Sequence, residues 1–205
     1  MKIISILPLF PETVGVYNIS IDNKKILKLL NKLKWTKRNS GLGDSLDHEA
    51  YSGPTFDLLT QYRSLKKRIE ECITIYIQAT LKQDTAYRIT TSWATKVGPG
   101  GYARIHYHCN SWLSGVYYPD GHKSFRIRFH NPKKQQWSDT PREYTINNSS
   151  TWTVPIEANT VVIFPSLLSH ELLTNESNKT RYSIAFNVFP TGHIGGKDSD
   201  SSVQL

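Results

Sequence analysis

From Tyr87 onward the chain breaks into short runs of β-branched and aromatic residues, separated by glycine, proline and asparagine. This texture is typical of sheets built from many short strands. The strands we predict are 87–96, 102–108, 112–118, 124–129, 143–146, 151–154, 160–164, 168–173 and 181–189. Because they follow a helical region, the pattern predicts a mostly β fold, a two-sheet jelly roll (double-stranded β-helix) with N-terminal helices packed on one sheet.

Two amphipathic helices are predicted before this region. The first begins after Asp22, a favourable N-cap, and ends near Trp35. The second runs from Thr55, its expected cap, to Leu81, and its apolar stripe at helical spacing is interpreted as core. The segment Met1–Pro8 is read as an entry strand.

A chain of 205 residues suits one domain with a proper core. We expect that domain over residues 1–190, with its helical part at 20–81 and its jelly-roll core at 85–190. The segment 191–205 is rich in glycine, serine and aspartate and is expected to be a mobile tail.

Net charge and cysteine content limit which partners and which cellular compartment can be expected. The formal net charge of +8 permits nucleic acid, acidic peptides or anionic metabolites as partners, although a solvated lysine-rich helix face is the favoured explanation. Cys72 and Cys109 form no disulfide framework, with Cys72 read as a small core residue. The N-terminal apolar run is too short to span a membrane. We therefore expect a cytoplasmic protein without membrane attachment.

The motif His106-Tyr107-His108 is the first candidate for chemistry. On an extended strand both imidazoles leave the same face and form a half-site for a divalent metal. His170 stands where a strand resumes after a proline-marked turn, so a jelly roll can bring it opposite the pair. Three ligands on one side of a metal, with the opposite positions open, is the geometry of non-haem iron oxygenases, which normally use two histidines and one carboxylate.

Arg181 and Ser183 form the second candidate. They alternate onto one face of an apolar strand, where a buried arginine is costly unless it meets an anion. The planar guanidinium fits a carboxylate, and the Ser183 hydroxyl can add a further hydrogen bond. The sequence therefore predicts a carboxylate anchor near the metal site.

Together these motifs resemble the Fe(II)/2-oxoglutarate-dependent dioxygenase superfamily, most closely its prolyl-hydroxylase-like branch with bacterial and phage relatives. The resemblance covers about residues 85 to 190 and rests on the order of four motifs: His106-x-His108, Ser114-Gly115-Val116-Tyr117-Tyr118, His170, and Arg181-x-Ser183 with Phe186-Asn187-Val188. It implies Fe(II) as cofactor and 2-oxoglutarate as cosubstrate, with oxidative decarboxylation coupled to hydroxylation of a C–H bond and no catalytic residue beyond the metal ligands.

The resemblance also implies residue roles. His106 and His170 bind iron, and Arg181, assisted by Ser183, pairs with the distal carboxylate of 2-oxoglutarate. Further contacts to the cosubstrate are implied for Tyr117, Tyr118 and Asn187, against plain strand packing for the tyrosines and strand-tying for the asparagine.

One position departs from the family pattern. His108 stands where the family usually has aspartate or glutamate, so the site is one negative charge short. Three interpretations remain open at this point: a working three-histidine site, a site completed by Asp120 or, less favourably, by Glu171, or a weak metal site in a protein that binds rather than reacts.

The substrate is bounded only by the resemblance and the charge. A peptidyl or amino-acid substrate is favoured, and nucleic acid is less favoured because no aromatic-interleaved basic stripe is present. Residues 36–54 and 130–142, the latter with Trp137, are candidate lids. The alternatives are a cupin-type three-histidine dioxygenase without 2-oxoglutarate and a non-catalytic barrel that binds an anion or a protein.

Overall fold

The structure is a computed structural model, which describes residues 3–5, 7, 9–37, 48–51, 56–133, 140–196 and 199–205. Its elements in chain order are β1 (Gly15–Asn18), α1 (Asn23–Leu30), β2 (Thr36–Lys37), β3 (His48–Tyr51), α2 (Arg63–Ile75), β4 (Tyr87–Val97), β5 (Ala103–His106), β6 (Leu113–Tyr118), β7 (Arg126–His130), β8 (Thr151–Pro155), β9 (Thr160–Pro165), β10 (His170–Leu172), β11 (Arg181–Pro190), β12 (His193–Ile194) and β13 (Val203–Gln204). A 3-10 turn at Leu58–Gln61 precedes α2, and a π-helical segment at Tyr76–Thr80 continues it.

Two antiparallel sheets form the body of the fold. The major sheet has the strand order β1-β9-β6-β11-β4-β3-β2, and the minor sheet has the order β5-β10-β7-β8. Strands that follow one another along the chain thus alternate between the sheets from β4 to β7 and from β8 to β11. This arrangement confirms the predicted jelly roll with helices on one sheet.

The major sheet separates two apolar clusters because its side chains alternate between its faces. On the outer face, α1 and α2 pack against strand residues such as Val161, Ile184 and Phe186; we call this the helix-side core. On the inner face, Tyr118, Phe164 and residues of β7 fill the space between the sheets; we call this the interior core. The functional candidates of β6 and β11 sort onto one or the other of these faces.

The helix boundaries differ from those predicted. The Asp22 cap is confirmed by a 3.2 Å hydrogen bond from the Lys25 N–H, but α1 ends at Leu30, before Trp35. The second helix begins at Arg63, while Thr55 lies outside the described residues. Phe56 has a φ of 53°, in the left-handed region, and the Ser92 side chain accepts a hydrogen bond from the Leu59 N–H, so the chain turns here before the helix starts.

Three other local predictions were wrong. Within the predicted loop 36–54, β2 and β3 pair with each other and β3 pairs with β4, while 38–47 and 52–54 lie outside the described residues. The predicted strand 143–146 is a turn, because the Asn148 side chain accepts from the Thr145 N–H and donates to the Glu143 carbonyl. Residues 3–5 and 7 form no strand; the first is β1, which pairs with β9.

The C-terminal residues carry a short pairing of β12 with β13, while their predicted mobility stays a prediction. Cys72 is buried in the helix-side core, as expected, and Cys109 is exposed; both are free thiols. Across the described residues, none of the helices combines the length and apolar character that crossing a membrane requires.

Candidate active site

Three histidines converge at one end of the interior. His106 ends β5 and His170 begins β10, and the two residues are cross-strand partners in the minor sheet. His108 lies beyond the end of β5, where its backbone N–H donates to the Ser166 carbonyl at 2.9 Å. The ring centroids lie 4.3 Å apart for His106 and His170, 5.3 Å for His108 and His170, and 5.5 Å for His106 and His108. One nitrogen from each ring lies within 4.8 Å of the other two, which is close enough to share one metal ion.

All three rings offer the same nitrogen. Nδ1 of His106 lies 2.7 Å from the Arg104 carbonyl, and Nδ1 of His170 lies 3.0 Å from the Leu168 carbonyl. Nδ1 of His108 lies 2.7 Å from Oδ1 of Asn187. Because each of these oxygens accepts a hydrogen bond, each Nδ1 carries the proton and each Nε2 keeps its lone pair. Three neutral imidazoles with free Nε2 atoms are a donor set that suits a divalent metal.

Burial keeps two of the rings neutral. His170 is 4% exposed, with the Phe164 ring centroid 4.6 Å from its own. Desolvation, together with the neighbouring imidazoles, lowers the pKa of His170 to about 3. Desolvation also lowers the pKa of His108, against the opposing effect of its hydrogen bond to Asn187. Since metals bind the neutral imidazole, both rings are in the binding form at neutral pH.

The two carboxylates proposed to complete the site are engaged elsewhere. Glu171 faces the opposite side of β10, where its Oε1 accepts from Arg128 at 3.3 Å and lies 3.2 Å from Nε2 of His130. Asp120 accepts from the Gly121 N–H at 2.9 Å, in the turn after β6. In the part of the chain that the structure describes, the ligand group consists of three imidazoles and includes neither carboxylate.

Arg181 is the most unusual buried group of the interior. Its side chain is 1% exposed, and its Nη1 donates to the Leu173 carbonyl at 2.9 Å. Nε and Nη2 have no hydrogen-bond partner among the described residues, and neither does the buried hydroxyl of Tyr118. Burial lowers the pKa of Arg181, whereas its interaction with Tyr118 acts in the opposite direction. Unpaired donors on a buried cation are costly, so this corner fits an anionic group that brings its own acceptors.

The histidines and the guanidinium of Arg181 lie near opposite ends of β10. His170 opens β10, and Leu173, whose carbonyl receives the Arg181 bond, directly follows it. At about 3.3 Å per residue, the two points are roughly 10 Å apart along the strand. A short dicarboxylate held at one end by a metal and at the other by Arg181 fits this arrangement.

The remaining predicted site residues divide by strand face. The Ser183 hydroxyl lies in the interior, 2.6 Å from that of Thr95. Tyr118 belongs to the interior core, but Tyr117 belongs to the helix-side core, and its hydroxyl donates to Asn159 at 2.8 Å. Tyr117 therefore does not face the arginine. Asn187 contacts His108, so it lies beside the candidate metal ligands and not beside Arg181 and Tyr118, the pair that we call the carboxylate corner.

A chain of hydroxyl groups around Asn187 was missed from the sequence. Ser114 donates to Oδ1 of Asn187 at 2.9 Å, and its hydroxyl lies 2.8 Å from that of Ser166. Nδ2 of Asn187 donates to the Thr91 hydroxyl at 3.0 Å. The available signal was the occurrence of small hydroxyl residues at inward-facing positions of otherwise apolar strands.

A cavity of about 580 Å³ adjoins two residues that contact His170, although none of the three candidate ligand histidines lines it. Phe129 and Leu168 form part of its wall, and both also contact His170, the first through a ring centroid 6.0 Å away. Residues 130–133 of the predicted lid line it, and so does Trp152. Trp137 lies outside the described residues.

Comparison with known proteins agrees with this geometry. The family model described as putative 2OG-Fe(II) oxygenase matches residues 91–187, a stretch that contains the three histidines and Arg181. This region of the chain belongs to the 2OG-Fe(II) oxygenases. No curated protein sequence matches the oxygenase.

Solved structures of similar fold cover most of the oxygenase. HygX from Streptomyces hygroscopicus, with nickel, 2-oxoglutarate and hygromycin B bound, has a TM-score of 0.63 at 12% identity, covering 88% of this chain and 84% of its own. A Pseudomonas putida prolyl-4-hydroxylase has a TM-score of 0.55 at 13% identity, with coverage of 88% and 94%. A prolyl hydroxylase from Trichoplax adhaerens, in complex with a peptide fragment, has a TM-score of 0.59 at 11% identity, with coverage of 86% and 83%. At these identities the likeness shows the shared fold.

Proposed function

We propose that this oxygenase uses Fe(II) and 2-oxoglutarate to hydroxylate a C–H bond, with the metal on His106, His108 and His170. The observation that carries the proposal is Arg181, a buried guanidinium with two unpaired donor nitrogens in the same interior as three free Nε2 atoms. The nickel and 2-oxoglutarate in HygX, a protein of the same fold, support this assignment.

The residues fit both groups by their chemistry. Iron, 2-oxoglutarate and dioxygen, when bound, supply the oxidation, in which 2-oxoglutarate becomes succinate and carbon dioxide and the substrate is hydroxylated. His106, His108 and His170 would hold the metal, and the coordination positions that they do not fill would be left to exchangeable ligands. Arg181 and the Tyr118 hydroxyl orient the distal carboxylate, with Ser183 beside them. Phe129 and Phe164 keep water away from His170.

For the substrate we propose a peptidyl or amino-acid group, proline-like as in the prolyl hydroxylases of similar fold. The cavity beside His170 offers apolar wall for such a side chain. A net charge of +8 suits an acidic peptide, and nucleic acid is the less favoured partner. The cytoplasm, where thiols such as the exposed Cys109 stay reduced, is the compartment that the sequence predicts.

Two other functions stay as alternatives. A cupin-type dioxygenase would use three histidines without 2-oxoglutarate, which the donor set of this site allows. A non-catalytic barrel would bind an anion at Arg181 without needing the metal. Both leave one of the two halves of the site without a role.

The test is anaerobic calorimetry with Mn(II) as a redox-stable probe, followed by 2-oxoglutarate. We expect Mn(II) to bind the wild-type protein and 2-oxoglutarate to bind the Mn(II)-loaded form. Arg181→Lys keeps the charge but loses the planar fork, so 2-oxoglutarate should bind at least about 30-fold more weakly, from a loss of about 2 kcal/mol or more. Mn(II) affinity should be unchanged.

Arg68→Lys is the matched control, because Arg68 is an exposed residue of α2 paired with Glu71. It should behave as the wild type with both ligands. Mn(II) binding without any 2-oxoglutarate binding would favour the cupin alternative. Binding of 2-oxoglutarate that needs no metal would favour the non-catalytic barrel.

A further inference from the structure

Among the residues that the structure describes, Asn187 is the side chain that hydrogen-bonds the ring of His108. His108 lies beyond the end of β5, so strand geometry does not fix the direction of its imidazole. Among the described residues, the hydrogen bond from its Nδ1 to Oδ1 of Asn187, at 2.7 Å, is the polar contact of this ring. The Trp93 ring packs beside it with centroids 5.7 Å apart, which restricts the ring but does not choose between its two nitrogens.

The amide of Asn187 is itself held in one orientation. Its Nδ2 donates to the Thr91 hydroxyl at 3.0 Å, and its Oδ1 accepts from Ser114 at 2.9 Å as well as from His108. With Nδ2 in place of Oδ1, the group facing Nδ1 of His108 would be a donor, and Nδ1 would have to accept. The amide is thus held by groups from three separate segments, in β4, β6 and the stretch after β5, and its Oδ1 is the end placed against His108.

The orientation decides what His108 can do. An acceptor at Nδ1 selects the tautomer that carries its proton there, which leaves the lone pair on Nε2 free to bind a metal. A donor at that point would select the other tautomer and place an N–H where a metal ligand is needed. In His106 and His170, a backbone carbonyl next to Nδ1 selects the same tautomer, whereas in His108 a side chain does so.

We propose that Asn187 is a positioning residue that makes His108 a metal ligand in the position where the family usually has a carboxylate. The inference rests on the metal site of the proposed function. It adds to that site the hydrogen bond that orients the third imidazole for metal binding. In this proposal Asn187 orients a metal ligand and does not itself contact 2-oxoglutarate or substrate.

The test measures Co(II) affinity by anaerobic calorimetry and the visible absorption of bound Co(II), neither of which requires turnover. Asn187→Leu removes the acceptor at similar volume and should weaken Co(II) binding about 10- to 100-fold, the usual effect of losing a partner of a metal-bound histidine. The absorption spectrum should change as well, because one ligand is misplaced. Asn187→Asp restores an acceptor at the same position and should return Co(II) affinity to the wild-type range or above it.

Asn159→Gly is the matched control for general destabilisation. Asn159 also makes two amide hydrogen bonds, but on the helix-side core, and its φ of 62° is one that glycine accepts. It should lower the melting temperature without changing Co(II) affinity or spectrum. Wild-type affinity and spectrum in a folded Asn187→Leu protein would overturn the inference, and so would a failure of Asn187→Asp to restore binding. A wild-type protein that binds no Co(II) would instead refute the metal site of the proposed function.

Discussion

In the proposed metal site, His108 leaves the ligand set without a negative charge. A carboxylate in its place would cancel one of the two charges of a divalent ion, whereas three neutral imidazoles cancel none. The anionic cosubstrate then supplies the negative charge that the protein does not. Binding of the metal and of 2-oxoglutarate should therefore reinforce one another more strongly here than in a site with its own carboxylate.

Replacement of His108 tests whether the third ring is a ligand. His108→Ala should lower Mn(II) affinity by at least about 100-fold, the upper end of what losing even an outer partner costs. His108→Asp should retain Mn(II) binding, because it restores the donor type that the family usually has at this position. Titration of both variants with Mn(II), monitored by calorimetry, measures the difference. A wild-type affinity in His108→Ala would exclude His108 from the ligand set.

The two cysteines should differ sharply in reactivity. Burial raises the pKa of Cys72 to about 11, so its thiolate is scarce at pH 8.5 and shielded from reagents, whereas Cys109 is exposed. Iodoacetamide at pH 8.5 should modify one thiol in the folded protein and two in denaturant, as counted by mass spectrometry. The raised pKa also implies stability that is present below pH 9 and is lost as the pH rises toward 11. Rapid native modification of Cys72 would contradict its core position.

The candidate metal ligands and Arg181 could be predicted from the sequence, but the groups that orient them could not. His106, His170 and Arg181 lie in strands whose alternation of apolar and polar residues can be read from the sequence. Their placement in the interior between the two sheets could therefore be predicted. The partners of the rings come from elsewhere in the chain: Asn187 lies 79 residues from His108, and the carbonyl at Leu168 depends on the shape of a turn. Such contacts follow from register between distant strands, which a single sequence does not contain.

Among the elements, β6 shows most clearly how alternation assigns function. Tyr117 and Tyr118 are adjacent in sequence and nearly equivalent as candidates, yet they enter different cores. Burial raises the pKa of both hydroxyls, so both stay protonated and can donate. Tyr117 can therefore serve as a control for Tyr118 in a test of the carboxylate corner.

Tyr118→Phe should weaken 2-oxoglutarate binding to the Mn(II)-loaded protein by about 10-fold or more, the cost of losing a hydrogen bond to a charged group. Tyr117→Phe should leave that affinity unchanged, because its hydroxyl serves Asn159 on the far side of the sheet. Calorimetry on both variants decides the comparison. Equal effects of the two substitutions would place the carboxylate elsewhere.

The helices and loops were the least predictable elements. An apolar stripe predicts that a helix exists, but the start of α2 is set by a left-handed turn at Phe56 and by contacts with β4, which no local pattern reveals. The strands β2 and β3 were not predicted because they are short, and turn residues are frequent near them in the sequence. They form the last two strands at one side of the major sheet, where β3 pairs with β4 and β2 is the edge strand. The central strands were predictable since both of their faces are buried.

At the scale of the whole molecule, the metal site joins parts of the chain that are far apart. Its candidate ligands lie on β5, just after it, and on β10, and Asn187 links them to β11. Binding at this point should therefore stabilise the fold cooperatively. At about 100 times its dissociation constant, Mn(II) should add roughly 2.7 kcal/mol, or about 5–10 °C in melting temperature for a chain of this size.

Differential scanning calorimetry under nitrogen measures this shift, and EDTA should reverse it. Addition of 2-oxoglutarate should raise the melting temperature further in the presence of Mn(II) and have little effect in its absence. A shift with Mn(II) that survives simultaneous loss of His106 and His170 would mean that the ion binds elsewhere.

Arg181 and Asn187 stand on one strand, six residues apart, and both face the interior while the even-numbered residues between them pack under the helices. The irregularity in the pairing of β11 with β4 falls after Asn187, outside this interval. A single inserted or deleted residue between the two would turn one of them outward and separate the proposed carboxylate anchor, Arg181, from the proposed support of His108, Asn187. In any redesign of this enzyme, the spacing between them can change only in steps of two.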